Sequence, residues 1–367
     1  MWITESTTNA LTPTAVALGN FDGLHRGHQQ VIQPVVSFGR EQGAGSREQG
    51  EVNNFTHHST VVTFNPHPQE FFSGQSRQLL TPLPEKVKQL SSWGIEQLVL
   101  LPFNRELAAL SPEDFVEQIL VQQLQAKTIS IGQDFRFGKQ RSGTATDLQA
   151  IAARFGIPVA ILPNYNCEGE RISSSAIRQA LTEGNVKRAE LLLARPYTLQ
   201  GKVVKGQQLG RTIGFPTANI QLPENKFLPR LGVYAVRVLI EDERVDGQGR
   251  QRQGGYGSAE EAEGATQNSK LKINSEFRIP NSEFGIAVGV MNLGYRPTVN
   301  GIGLTVEVHL FDWSGDLYGK AIAVQLEEFI RPEKKFASLD ELKAQIAVDS
   351  AKARILLTPK YTTDNSH

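Results

Sequence analysis

"TAVALGNFDGLHRGH", residues 14–28, passes from an apolar stretch through a glycine-containing turn to two histidines three positions apart. Thr14 to Gly19 reads as a strand, and a helix is expected to begin near His25. In an open α/β sheet, ligands bind outside the carboxyl ends of the strands. A helix N-terminus placed there offers free N–H groups and the positive end of a dipole, which suit a phosphate. Gly19 and Gly27 permit close backbone approach, and His25 and His28 add donors around phosphate charge. A metal site is the rival, because residues i and i+3 share a helix face. It needs third and fourth ligands, and no Cys/His cluster supplies them. Isolated histidines are usually ordinary packed residues, but the strand–turn–helix setting with its glycines favours phosphate.

Outward from this stretch, the first half repeats the strand pattern. "TVVTF" (60–64), "QLVLL" (97–101), "TISIG" (128–132) and "PVAIL" (158–162) are apolar throughout, as strands buried on both faces of a parallel sheet are. Helical stretches lie between them. "LSPEDFVEQIL" starts one clearly, with Ser111 as N-cap, Pro112 at the first helical position and Glu113 and Asp114 in the first turn. Alternation of this kind predicts a doubly wound α/β domain. After about residue 186 the texture changes to "TLQGKVVKG", "GVYAVRVLI", "GIAVGVMNLGY", "GLTVEVHLFD" and "AIAVQLEEFI", strand-like runs separated by glycines. This half reads as a small antiparallel β-barrel or sandwich followed by a C-terminal helix, whose capping box is Ser338 to Glu341.

Two segments fit neither pattern. Residues 40–59 carry "REQG" twice and residues 241–284 carry "NSEF" twice, each seven apart and without an apolar seam. Both read as polar surface insertions, with His57 and His58 solvated in or beside the first. The tail "TPKYTTDNSH" is expected to fray.

A chain of 367 residues suggests about two domains. Its net charge of +0 provides no long-range field toward nucleic acid, so no nucleic-acid partner is expected. Cys167 is the lone cysteine and fits a reducing compartment. The start "MWITESTTNA" lacks a secretory pattern, and no apolar run reaches the roughly 18 residues that span a bilayer. A cytoplasmic protein with no membrane association and no obligate protein partner is expected.

"GNFDGLHRGH" resembles the HxGH signature of nucleotidylyl transferases. "RISSSAIRQAL" (171–181) resembles that family's late phosphate-binding loop, with Ser173, Ser174 and Ser175 able to cap a helix and Arg178 suited to a bidentate phosphate contact. Between them stand "TFNPHP" (63–68) and "GQDFRFGKQRSG" (132–143). Four blocks in this order resemble the FAD synthetase module of prokaryotic bifunctional riboflavin kinase/FMN adenylyltransferases. The resemblance implies that residues 1–186 form the FMN adenylyltransferase domain, with His25, His28 and Arg178 catalytic. It implies ATP or phosphate contacts at Gly19, Phe21, Asp22, Gly27 and the three serines, and flavin contacts at Asn65, Phe135 and Phe137.

"GQQLGRTIGFPTANI" (206–220) spaces Gly206, Gly210 and Gly214 four apart, and Pro216 argues for a loop. Such a loop can bring N–H groups to phosphates, although the spacing alone is a weak signal. "PTAN" resembles the riboflavin kinase motif that holds Mg-ATP, which implies Thr217 and Asn219 at Mg²⁺, an ion suited to oxygen ligands. "GVYAVRV", "NLGYRPT" and "LTVEVHLFD" follow that module in order. On its own, Glu307 in the last run could be an exposed acid on a strand; the resemblance implies that it is the general base for the riboflavin 5′-hydroxyl. Residues 187–367 are then the kinase domain. The expected substrates are riboflavin, FMN and ATP, the last as co-substrate in both steps.

Overall fold

The computed structural model describes residues 1–44, 57–206, 210, 213–240, 285–298 and 301–358. The first half is a six-stranded parallel sheet. Its strands are β1 (Trp2–Thr4), β2 (Thr14–Leu18), β3 (His58–Asn65), β4 (Gln97–Pro102), β5 (Ala126–Gly132) and β6 (Val159–Leu162), in the order β1-β4-β3-β2-β5-β6. Every residue of β2 is buried, and successive side chains serve opposite faces. Ala15 and Ala17 pack with Val31, Val35 and Leu90, so small residues face the helices Arg26–Ala44 and Leu83–Ser92. Val16 and Leu18 face Leu120, Ile129 and Leu148 on the other side. Each of these Val, Leu and Ile burials contributes about 1.5–3 kcal/mol. From β2 the sheet grows toward β4 in one direction and toward β6 in the other, so the crevice beyond β2 and β5 is a topological switch point.

A hairpin of β7 (Asn166–Cys167) and β8 (Glu170–Arg171) leads to helices Ser174–Glu183 and Val186–Leu193. The chain then enters a closed antiparallel barrel. Its strands are β9 (Thr198–Val204), β10 (Ala218–Gln221), β11 (Gly232–Ile240), β12 (Gly285–Thr298), β13 (Gly301–Leu310) and β14 (Ala321–Pro332), ordered β10-β13-β12-β11-β14-β9. Ile177 and Leu181 of the first connecting helix and Leu192 and Leu193 of the second share one core with Tyr234, Met291 and Leu326 of the barrel. The helix Leu339–Leu357 closes one side, with Ala353 and Leu357 on Val233 and Phe311 and Asp349 held by Arg331 at 2.7 Å.

The structure differs from sequence expectation in a few places. Trp2–Thr4 adds an edge strand too short to announce itself. Ala218–Gln221 is a strand within the stretch expected to be loop, because β9 and β13 supply ladders on both sides. The helix Arg26–Ala44 and β3 take up the ends of the 40–59 segment, whereas the 241–284 segment and the tail from 359, which was expected to fray, lie outside the described residues. His57 and His58 are half-buried rather than solvated: His57 packs on Phe38, and His58 lies 3.8 Å from Glu96.

Candidate active sites

The turn after β2 is conformationally demanding. Phe21 and Leu24 adopt left-handed φ values of 47° and 44°, flanking Gly23 at 91°. Side chains hold it. The carbonyl of Asn20 accepts from Thr63 Oγ1 at 3.0 Å and from Lys86 Nζ at 3.1 Å. The carbonyl of Asp22 accepts from Ser174 Oγ at 2.7 Å. Burial brings the Lys86 pKa down to about 8, with Asp22 opposing the shift.

From this turn His25 and His28 converge. Their rings stack with centroids 3.6 Å apart, and the His28 N–H donates to His25 Nδ1 at 3.3 Å. Phe21, fully buried, meets His28 edge-on and fills the space beside Gly19. A Cβ on Gly27 would stand 3.2 Å from His25 Nδ1, so glycine there admits the imidazole. His25 is 6% exposed. Burial first, then the charge of Arg195, lowers its pKa to about 4. Burial likewise takes His28 well below the ordinary range, with His25 as the next cause, and His28 Nδ1 is a buried nitrogen without a partner. Both imidazoles are therefore neutral at pH 7, with ring nitrogens available to a ligand.

A cavity of about 280 Å³ opens above them, between the ends of β2, β5 and β6. Gly19, His25, Gly27, His28, Ser173 and Ser174 line it, together with Phe135. Sequence reading missed Asp134, Asn164, Tyr165 and the position of Arg171 in this wall. Asn164 donates to Asp134 at 2.9 Å, and Arg171, carried in by β8, pairs with the same carboxylate. Asp134 and Arg171 were visible inside the quoted blocks, but nothing in their spacing announced that they meet.

Other expected residues stand elsewhere. Arg178 donates to Asp22 Oδ2 at 2.5 Å and to the Gln78 carbonyl at 2.7 Å, and its guanidinium lies over Phe227. Asp22 also accepts from the Thr81 N–H at 3.2 Å, so both are committed to holding the turn. Ser173 caps its helix by accepting from Ala176 N, while Ser175 is exposed on the first turn. Phe137 is buried beneath Phe135, with Gly143 against its ring. Asn65 ends β3, exposed, and donates to Glu5 at 3.3 Å.

The second group lies on the barrel. Strand register places Glu307 on β13 between Asn219 of β10 and Asn292 of β12. Glu307 is 8% exposed and lines a cavity of about 670 Å³ with Gly210, Thr217, His309 and Phe336. His309 Nδ1 lies 2.9 Å from the Pro216 carbonyl and its ring stands edge-on to Phe215. Thr217 also borders a second cavity of about 670 Å³, walled by Trp313 to Tyr318. Gly206 and Gly210 bring the loop against this site: an added Cβ would stand 2.2 Å from Asn219 Nδ2 in one case and 3.2 Å from Thr217 Oγ1 in the other. Gly214 has φ of 87° and faces open space. Thr217, just before β10, and Asn219, within it, offer neutral oxygens. Among the described residues no cluster of three or more His, Cys, Asp or Glu could hold a metal. Neutral oxygens are a donor set that fits a hard ion such as Mg²⁺.

Among the described residues no helix is long and apolar enough to cross a membrane. The FAD synthetase family matches residues 7–176, and the riboflavin kinase family matches residues 193–357. The bifunctional riboflavin kinase/FMN adenylyltransferase of Escherichia coli (strain K12) is 39% identical over 92% of this chain and 91% of its own. That of Haemophilus influenzae is 36% identical over 92% and 93%, and that of Listeria monocytogenes 32% over 92% and 91%. A crystal structure described as a macrolide-efflux protein from Streptococcus pneumoniae covers 96% of this chain and 98% of its own, with TM-score 0.72 and 29% identity. With each half carrying its own ligand-sized cavity, and relatives matched across both halves, this chain belongs to the bifunctional riboflavin kinase/FMN adenylyltransferase family, ATP-using enzymes that make FMN and FAD.

Proposed function

We propose that residues 1–186 carry adenylyl transfer and residues 187–367 carry phosphorylation, with the residues above in distinct roles. In the kinase half, riboflavin occupies the cavity beside Glu307 and His309, and ATP occupies the cavity beyond Thr217. Glu307 takes the 5′-hydroxyl proton as the oxygen attacks the γ-phosphorus, and ADP leaves. Thr217 and Asn219 would hold the Mg²⁺ that arrives with ATP, and the ion would neutralise phosphate charge.

In the first half, ATP lies with its phosphates at the Gly19–His28 turn. A phosphate oxygen of FMN attacks the α-phosphorus, the bond to pyrophosphate breaks, and FAD forms. No enzyme nucleophile takes part. His25 and His28, neutral when empty, gain basicity as the anionic chain arrives and donate hydrogen bonds to its developing charge. Phe135 borders the FMN side. Arg178 acts from the other side of Asp22, by fixing the turn. The substrates are riboflavin, FMN and ATP, and the setting is cytoplasmic, with no nucleic-acid, membrane or obligate protein partner.

The stacked His25–His28 pair in the cavity beyond β2 carries this division. Its test supplies either riboflavin or FMN to the full chain with Mg-ATP and separates the flavins. His25→Ala slows only FAD formation. Asn219→Ala slows only FMN formation and weakens Mg-ATP binding there. A variant that slows both reactions equally while remaining folded overturns the division.

A further inference from the structure

Two carbonyls of the histidine turn are held from outside the FAD synthetase match. Arg195 Nη2 donates to the Gly23 carbonyl at 2.7 Å, and its Nη1 donates to the Leu24 carbonyl at 2.9 Å. Arg195 lies within the riboflavin kinase match, residues 193–357, on the three-residue approach to the first barrel strand. We infer that Arg195 is a positioning residue for adenylyl transfer, by which the kinase half fixes the geometry of the other half's histidines.

The geometry is specific. One planar guanidinium grips two successive carbonyls at the residues with φ of 91° and 44°, immediately before His25. A strained turn persists only where its surroundings over-determine it. The remaining holds, from Thr63, Lys86, Ser174, Thr81 and Arg178, fall on Asn20 and Asp22. Among the described residues, Arg195 alone hydrogen-bonds the carbonyls of the two residues that aim the imidazoles.

Arg195 is itself held by docking of the two halves. Leu79 pairs with Lys226 as an isolated parallel bridge, with Leu79 N–H donating to Asn225 at 2.6 Å and Phe227 N–H to Leu79 at 2.8 Å. Lys226, buried, pairs with Glu85 at 2.6 Å and lies 4.5 Å from the centre of the Tyr197 ring. The Tyr197 hydroxyl donates to the Phe227 carbonyl at 2.6 Å. The segment Arg195–Tyr197 is thus clamped against the first half two residues from the guanidinium it presents. Burial lowers the Arg195 pKa to about 10, with Glu85 opposing the shift, so the group stays charged at neutral pH.

The inference rests on assigning the histidine turn to adenylyl transfer, and its test separates the two ideas. Arg195→Met, Arg195→Lys and His28→Ala are compared in the full chain, with FAD formed from FMN and FMN formed from riboflavin measured separately. Displacement of catalytic groups by about 1 Å costs on the order of 10²-fold, so Arg195→Met should lower kcat for FAD formation by that order. KM for ATP should move less than kcat, because the histidines act on charge that grows in the transition state. FMN formation should keep its native rate. Lysine retains the charge without the two-pronged fork, so Arg195→Lys should recover about tenfold of the loss. Native FAD formation in Arg195→Met, with His28→Ala impaired, overturns the positioning role. Equal loss of both reactions in Arg195→Met and Arg195→Lys makes the residue merely structural and overturns it as well. Native FAD formation in His28→Ala removes the site assignment itself, and the inference falls with it.

Discussion

The two sites reach the same kind of chemistry by opposite construction. The proposed adenylyl site sits on a turn with two non-glycine residues at left-handed φ, held by Thr63, Lys86, Ser174 and Arg195. The proposed kinase site sits on a ladder: Glu307 pairs in register with Asn219 on one side and Asn292 on the other. The first is therefore sensitive to side chains distant in sequence. The second is sensitive to contacts along the strands and to the glycines that let the loop approach. A turn with left-handed residues stores a cost of about 1–3 kcal/mol at each such position, and long-range hydrogen bonds must offset it. A barrel strand needs no such help, since neighbouring strands satisfy its backbone on both sides.

The largest effect is expected at the ladder. Glu307→Gln keeps size and some hydrogen bonding but cannot accept a proton as a base. Riboflavin phosphorylation should fall about 10²–10⁴-fold, while FMN supplied directly is still converted to FAD. Chromatography of the flavins reads both. A native phosphorylation rate would mean that the base lies elsewhere and Glu307 only lines the cavity.

On the turn, His28→Ala removes one donor from the phosphate site, and FAD formation should drop about 10²–10³-fold. FMN formation should remain near native, because no kinase residue touches His28 among the described contacts. A parallel fall in both, with unchanged circular dichroism, would mean that the two sites share machinery.

The same contrast decides what could be read in advance. The five long strands of the parallel sheet were legible because burial on both faces makes them apolar throughout, as β2 is. Trp2–Thr4 was not, since three residues on an edge carry no period. The histidines were legible because they are close in sequence to their glycines. Asp134 with Asn164 and Arg171 was not, because those residues come from three segments that meet only when β5, β6 and the hairpin are folded. Arg178 illustrates the limit most clearly. Its place near the start of a helix suggested a phosphate contact, and nothing local announced that Asp22, 156 positions away, pairs with its guanidinium. In the barrel the register that centres Glu307 follows from ring closure, and no local pattern encodes it.

Burial of the histidines gives the turn an acid sensitivity. Above the ordinary pKa of 6.5, His25 is neutral folded and unfolded, and pH has no leverage through it. As pH falls from 6.5 toward about 4, the unfolded chain takes up a proton that the folded chain refuses, so stability is lost through that window. For His25 alone the loss should be about 2 kcal/mol by pH 5, or about 30-fold in the folding equilibrium. Urea unfolding at pH 7 and pH 5 measures it. His25→Asn should flatten that part of the dependence, and an unchanged slope in the variant would place the acid-sensitive group elsewhere.

The smallest expected effect tests the ladder side through a close contact. Gly206 has no side chain, and a Cβ there would stand 2.2 Å from the amide nitrogen of Asn219. Real Cβ atoms do not come so near, so in Gly206→Ala either the loop or the Asn219 amide must move. The amide is the cheaper to move, since it ends a short side chain, whereas Gly206 is backbone two residues past the end of β9. Overpacking of this kind costs about 1–3 kcal/mol. If Asn219 helps hold Mg-ATP, the lower end of that range appears as about a fivefold rise in KM for ATP in riboflavin phosphorylation. KM for riboflavin should hold, because Glu307 keeps its register between β10 and β12. FAD formation should also hold, since Gly206 borders no part of the histidine cavity. A rise in riboflavin KM with ATP unaffected would move Asn219 from the nucleotide side to the flavin side. The barrel register would be untouched by that result, and only the assignment of the two cavities on either side of Thr217 would be reversed.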